Sequence, residues 1–161
     1  MTLDFILNGE DVVVKTDASG RLIDILRNHF KLLGAKAGCL SGVCGCCSVI
    51  FNGKVVPSCL IPAFRIRGSE IVTIEGFSKY DEYQDIREGF SQSGVVTCGY
   101  CDAGKILAVE SLLRRNIRPA PEEILSAFMG IKCRCTEPES LIAGVLATSD
   151  IRQRRLYGRS A

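Results

Sequence analysis

The stretch AGCLSGVCGCC at residues 37–47 sets four cysteines within nine positions, and five more follow: Cys59, Cys98, Cys101, Cys133 and Cys135. Thiols at this density can pair as disulfides, hold zinc, hold an iron–sulfur cluster or act as nucleophiles. Disulfides fit poorly. The total of nine is odd, and Cys133 and Cys135 have one residue between them. The N-terminus, MTLDFILNGEDVVV, has no basic leader, and Asp4 and Asn8 interrupt its apolar residues, so no secretory signal is read. A cytoplasmic, reducing compartment is the resulting expectation, and thiols stay free there. A histidine-based triad or metal site is poorly supplied, because His29 is the one histidine. Metal or metal–sulfur ligation is therefore the working expectation.

The cysteines sort into two sets. In the first, Cys39-x4-Cys44-x2-Cys47 is followed at a distance by Cys59. This is the plant-type ferredoxin spacing for a [2Fe–2S] cluster. Three thiolates have to reach one small cluster from one loop, so the backbone must curl round it. Gly38, Gly42 and Gly45 permit that curl and bring backbone N–H groups to the sulfurs. Such groups offset negative charge and tune the potential. Cys59 closes the site from the next hairpin. Cys46 is left over. It reads as a small buried apolar residue facing away, with an oxidation-prone neighbouring thiol as the alternative.

The second set is Cys98-x2-Cys101 and Cys133-x-Cys135, each just ahead of a predicted helix. Helix N-termini carry partial positive charge and free N–H groups, which suits a net-negative site of four thiolates. Structural zinc also uses four cysteines with a C-x2-C pair, so zinc and a second [2Fe–2S] cluster both stay open here. The neighbouring ferredoxin-type loop favours the cluster.

The elements that must position these residues differ between the two halves. Residues 2–7 and 10–15 are β-rich around Asn8-Gly9, a strong hairpin signal. Residues 21–30 predict a helix, with apolar positions at 22, 23, 25 and 26. SVIF and KVVPSCL flank Asn52-Gly53, a second hairpin signal, and residues 70–76 predict another strand. Beyond Gly76 the pattern turns helical. Residues 81–91 form one segment, and 102–115 carry Ile106, Val109 and Leu113 on one face with Leu112 beside it. Two further helices start at Pro121 and Pro138, each with acidic residues in the first turn. Asp81, Glu82 and Asp85 read as a solvated acidic helix start. The tail IRQRRLYGRS reads as a solvated basic end, or as a surface for a partner subunit. His29 reads as a surface or packing residue.

Composition sets limits. The chain has 161 residues, 47% hydrophobic and 24% charged, enough to build a core without cysteine staples. A net charge of +2 gives no case for a nucleic-acid partner. No apolar run is long enough to span a bilayer. Neither G-x-G-x-x-G nor a P-loop occurs, so no nucleotide site is read.

The order and separation of KAGCLSGVCGCCSV, SCL at 58–60, CGYC at 98–101 and CRC at 133–135 resemble a known family. It is that of the small iron–sulfur subunits of the molybdenum hydroxylases, the xanthine dehydrogenase and aldehyde oxidoreductase family. The resemblance runs from about residue 2 to about residue 150. It implies an α+β chain, with an N-terminal β-grasp, ferredoxin-like domain over 1–78 and a C-terminal four-helix bundle over 79–161. It implies one [2Fe–2S] cluster on Cys39, Cys44, Cys47 and Cys59, and another on Cys98, Cys101, Cys133 and Cys135. In the family the helical-domain cluster lies nearest the molybdopterin, and the other passes electrons on to flavin. The implied partners are a large molybdopterin subunit and a medium FAD subunit, as a heterotrimer or a dimer of heterotrimers. The implied reaction is hydroxylation of a purine, another N-heterocycle or an aldehyde. Taken apart from the resemblance, the cysteines leave two alternatives to an electron carrier in such a complex: a zinc-stabilised adaptor module and a stand-alone ferredoxin-like carrier. Four positions depart from the family pattern. Thr97 stands where the family usually has a pterin-contacting Gln, and Asp102-Ala103-Gly104 replaces Thr-Pro-Gly. Ile131 replaces Asn, and Glu137-Pro138 replaces Gly-Tyr.

Overall fold

Strand β1 (Thr2–Leu7) alternates buried Leu3, Phe5 and Leu7 with exposed residues, the period of a half-buried strand. It runs antiparallel to β2 (Glu10–Lys15), and Leu7 pairs with Glu10 across Asn8-Gly9. Both turn residues have positive φ, 54° and 86°, as a type I′ turn requires. The same device joins β3 (Ser48–Phe51) to β4 (Lys54–Pro57), where Asn52 and Gly53 stand at 47° and 80°. In this computed structural model, which describes residues 1–158, β5 (Glu70–Val72) enters between the hairpins. It is parallel to β1 and antiparallel to β3, so the sheet order is β2-β1-β5-β3-β4.

Helix α1 (Leu22–Asp24) continues into a π-helical turn over Ile25–His29, so the helix expected over 21–30 has a wider second turn. Leu22, Ile25 and Leu26 enter the core beneath the sheet, while Ile23 packs with Cys47 and Cys59. His29 is exposed. Residues 70–76 do not form one strand as predicted. β5 ends at Val72, and Ile74–Phe77 forms a short helix, α2. The cause is Asn8. Its side chain accepts the Thr73 N–H at 2.8 Å and donates to Thr73 Oγ1 at 3.2 Å, in place of the next ladder bond.

The second half is helical, with α3 (Asp81–Gln92), α4 (Asp102–Arg115), α5 (Pro121–Phe128) and α6 (Pro138–Tyr157). Proline opens α5 and α6 as expected. Helix α4 is central, and every residue from Ala103 to Glu110 is buried. Ile106, Val109, Leu112 and Leu113 share a core with Ile86, Phe90 and Val145, and Ile50 and Phe77 of the first half enter it too. Among the described residues no helix is long and apolar enough to cross a membrane.

Two expectations about charge are corrected. The basic stretch after residue 150 is a solvated end only in part: Arg154 to Gly158 are exposed, but α6 runs on to Tyr157 and carries Arg152 into the interior. Arg152 Nε lies 3.2 Å from Asp85 Oδ2, and its Nη2 lies 2.9 Å from Glu110 Oε2. Arg155 adds contacts of 2.8 Å to Asp85 and 3.3 Å to Glu82. Asp85 is therefore buried, and the acidic start of α3 is half of an ion network that ties α3, α4 and α6 together. Charges taken out of water need such partners. The end of the predicted tail, residues 159–161, lies outside the described residues.

Candidate functional site

Three cysteines of the first set lie on the loop that leads into β3, and the loop curls through left-handed backbone at Leu40, Gly42 and Gly45, with φ of 56°, 76° and 72°. Gly38 is not left-handed, and Leu40 takes the role expected of it. What Gly38 supplies is room: a Cβ there would lie 3.0 Å from Cys44 Sγ and 3.3 Å from the Tyr100 hydroxyl. The curl turns the N–H groups of Ser41, Val43 and Cys44 onto Cys39 Sγ, at 3.4, 3.3 and 3.4 Å. The Ser41 hydroxyl and these N–H groups bring the Cys39 pKa down to about 5, the behaviour of a thiol prepared as a thiolate.

Cys47 and Cys59 sit deeper. The Ser58 N–H and hydroxyl both donate to the Cys47 carbonyl, at 3.2 and 2.7 Å, and draw the Ser58–Leu60 turn onto the loop. Both thiols are buried against Ile23. Burial first, then the adjoining Cys47 thiol, push the Cys59 pKa up to about 11. Cys46 is buried like a small apolar residue, its S–H 3.8 Å from the Cys44 carbonyl.

In the second set, Cys101 is the residue before α4, with Cys98 on the preceding turn, and Cys133 and Cys135 lie on the segment before α6. Thr136 joins the two segments. Its Oγ1 accepts the Val96 N–H at 3.1 Å and donates to the Val96 carbonyl at 3.2 Å. The Cys101 thiol meets that of Cys133, and Cys98 meets Cys135. Burial, then Cys133, push the Cys101 pKa up to about 12. At Cys133 burial opposes ionisation, but the Cys135 N–H, the Cys101 thiol and Thr136 outweigh it, so its pKa falls below the ordinary thiol value. Thr97 is exposed on the turn between Val96 and Cys98.

The two sets lie on loops that touch. The Lys132 N–H donates to the Cys44 carbonyl at 3.0 Å, joining a neighbour of Cys133 to a cysteine of the first set. A Cβ on Gly45 would lie 2.5 Å from the Gly130 carbonyl oxygen, and one on Gly104 would lie 2.5 Å from the Gly45 carbonyl oxygen. Neither glycine leaves space for a side chain. Gly45 was expected for the curl; its second role, close approach between the halves, was not. Gly104, Tyr100, Lys105, Lys132 and Thr136 are further residues that sequence reasoning did not assign. Lys105 carried a signal, being the one charge in the apolar run from Ala103 to Val109.

Among the described residues no three Cys, His, Asp or Glu side chains gather around a point suited to one metal ion. The cysteines instead meet in pairs, Cys47 with Cys59, Cys98 with Cys135 and Cys101 with Cys133. A [2Fe–2S] cluster takes two ligands at each of its irons, and thiolate is its usual donor. The donor chemistry, the pairs, the N–H groups on Cys39 and the room kept by Gly38 all fit that group.

Comparison with known proteins agrees with this reading. Residues 5–70 match the family described as "2Fe-2S iron-sulfur cluster binding domain", and residues 73–146 match "[2Fe-2S] binding domain". The nicotinate dehydrogenase small FeS subunit of Eubacterium barkeri is 41% identical over 84% of this chain and 87% of its own length. The crystal structure of quinoline 2-oxidoreductase from Pseudomonas putida 86 contains a chain that superposes with a TM-score of 0.87 at 31% identity, over 96% of both chains. The aldehyde oxidoreductase from Desulfovibrio desulfuricans ATCC 27774 superposes equally, with a TM-score of 0.87 at 29% identity. That match covers 99% of this chain and 18% of the other. The chain belongs to the small iron–sulfur subunits of the molybdenum hydroxylases, and is an electron-transfer subunit built from two [2Fe–2S]-binding modules.

Proposed function

We propose that Cys39, Cys44, Cys47 and Cys59 hold one [2Fe–2S] cluster, and that Cys98, Cys101, Cys133 and Cys135 hold the other. The observation that carries this reading is the meeting of the two thiol sets on abutting loops, joined by the Lys132–Cys44 hydrogen bond. When bound, each cluster supplies a one-electron carrier. The chain's own residues fix where those carriers sit. Ile23 covers Cys47 and Cys59, the N–H groups of Ser41, Val43 and Cys44 meet the charge on Cys39, and Gly45 and Gly104 let the two loops close up.

In this reading residues 1–78 form a β-grasp ferredoxin-like domain and 79–161 a four-helix bundle domain, supported by the sheet order and by α3 to α6. The partner is a large molybdopterin subunit, supported by the small share of the longer Desulfovibrio desulfuricans chain that this one spans. A medium FAD subunit takes electrons onward, in a cytoplasmic heterotrimer or dimer of heterotrimers. Relatives named for nicotinate, quinoline and aldehyde oxidation support an N-heterocycle, purine or aldehyde as the substrate of the complex. Thr97 faces the pterin in the place of the usual Gln.

The test is anaerobic reduction of the purified complex followed by EPR. Two distinct reduced [2Fe–2S] signals are expected. A single such signal, or none, would overturn the assignment.

A further inference from the structure

We propose that Lys105 sets the reduction potential of the cluster held by Cys98, Cys101, Cys133 and Cys135, with Asp102 as its counterweight. The inference rests on the reading that these four thiols hold a cluster. The Lys105 side chain has no exposed surface, although it sits in the first turn of α4 one turn beyond Cys101. Packing alone does not call for an ammonium there, since a thioether or an alkyl chain fills such a space without desolvating a charge. An ammonium withdrawn from water persists only with partners.

Lys105 has two partners, and both belong to the ligand turn. Its Nζ donates to the Val96 carbonyl and lies 3.3 Å from Asp102 Oδ1. Asp102 Oδ2 in turn accepts the Gly99 N–H at 2.7 Å, while Oδ1 accepts no hydrogen bond. Lys105 and Asp102 thus grip Val96 and Gly99, on either side of Thr97 and Cys98.

The two charges do not cancel at the thiols. The Asp102 side chain keeps 17% of its surface in water and Lys105 keeps none, so solvent reaches the aspartate and not the ammonium, although Asp102 Oδ1 is itself buried. A cluster with four thiolates is net negative, and reduction adds one more negative charge. A buried positive charge nearby favours the reduced form, because net charge and burial help set such potentials. The N-terminus of α4 acts in the same sense.

The test compares Lys105→Met with Asp102→Asn in the intact complex, by potentiometric titration followed by EPR. Methionine keeps the length and loses the charge; asparagine keeps an acceptor for Gly99. Lys105→Met is expected to shift the midpoint of one [2Fe–2S] signal to more negative potential, and Asp102→Asn to shift the same signal to more positive potential. The other signal should stay in place. A shared direction, or no movement in either variant, would show that the pair is a loop clamp only and overturn the proposal. If Lys105→Met loses its signal, Asp102→Asn decides: a positive shift supports the proposal, and a null or negative shift overturns it. Failure of the underlying reading looks different, because the unmodified complex would then lack a second iron–sulfur signal.

Discussion

Gly45→Ala, Gly104→Ala and Gly53→Ala separate two penalties that coincide at Gly45. At Gly45 φ is 72°, and an added Cβ would lie 2.5 Å from the Gly130 carbonyl oxygen. At Gly53 φ is 80°, and an added Cβ meets nothing within 4 Å. At Gly104 the backbone is helical, and the added Cβ would lie 2.5 Å from the Gly45 carbonyl oxygen. Left-handed backbone costs an alanine about 1–2 kcal/mol. Forcing packed backbone apart costs about 1–3 kcal/mol. Gly53→Ala should therefore cost about 1–2 kcal/mol, Gly104→Ala about 1–3 and Gly45→Ala about 2–5. Restriction of the unfolded chain offsets each by roughly 0.4–1 kcal/mol, much the same in all three. In thermal unfolding at one scan rate, each kcal/mol lowers the midpoint by about 2–4 °C in a chain of this size. Gly45→Ala should fall furthest, and it should also loosen the contact between the two loops, read as faster loss of iron on dilution into chelator. If Gly45→Ala fell no further than Gly53→Ala, the two loops would not be in tight contact, and the account of how this chain spaces its carriers would be wrong.

Other outcomes follow from the same geometry. Cys44→Ser should remove one EPR signal and leave the second, and loss of both in a folded chain would contradict two separate ligand sets. Arg152→Met strands Asp85 and Glu110, although Arg155 still meets the first and Arg114 the second at 2.5 Å. The cost should fall at the low end for a broken buried pair, about 3 kcal/mol. A fall in the unfolding midpoint corresponding to less than about 1 kcal/mol would refute a structural role for the network. Thr97→Gln should strengthen the hold of the complex on its pterin subunit, measured as co-purification in rising salt; an unchanged yield would count against Thr97 facing the pterin.

The parts of this chain that could be read in its sequence are those fixed by neighbours in the chain. Asn8-Gly9 and Asn52-Gly53 set their turns through their own φ angles, and Pro121 and Pro138 open helices because an N-terminal turn needs no N–H there. The inward positions of α1 and α4 followed from apolar spacing. What escaped depends on residues far apart. Asp85 reads as a surface acid until Arg152, 67 positions later, meets it in the interior. The strand expected over 70–76 stops early because Asn8, from the other end of the module, takes the Thr73 N–H. The cysteine spacing pointed to two ligand sets, but not to the abutment of Gly45 on Gly104 and Gly130, since glycine in a loop looks alike whether it bends the chain or admits a neighbour.

Iron and acid-labile sulfide per chain, measured on protein prepared without oxygen and alongside zinc, test the central claim most directly. About four of each is expected, two [2Fe–2S] clusters on eight thiolates. About two of each with one zinc would contradict it, leaving a cluster on Cys39, Cys44, Cys47 and Cys59 and a structural ion on the helical set.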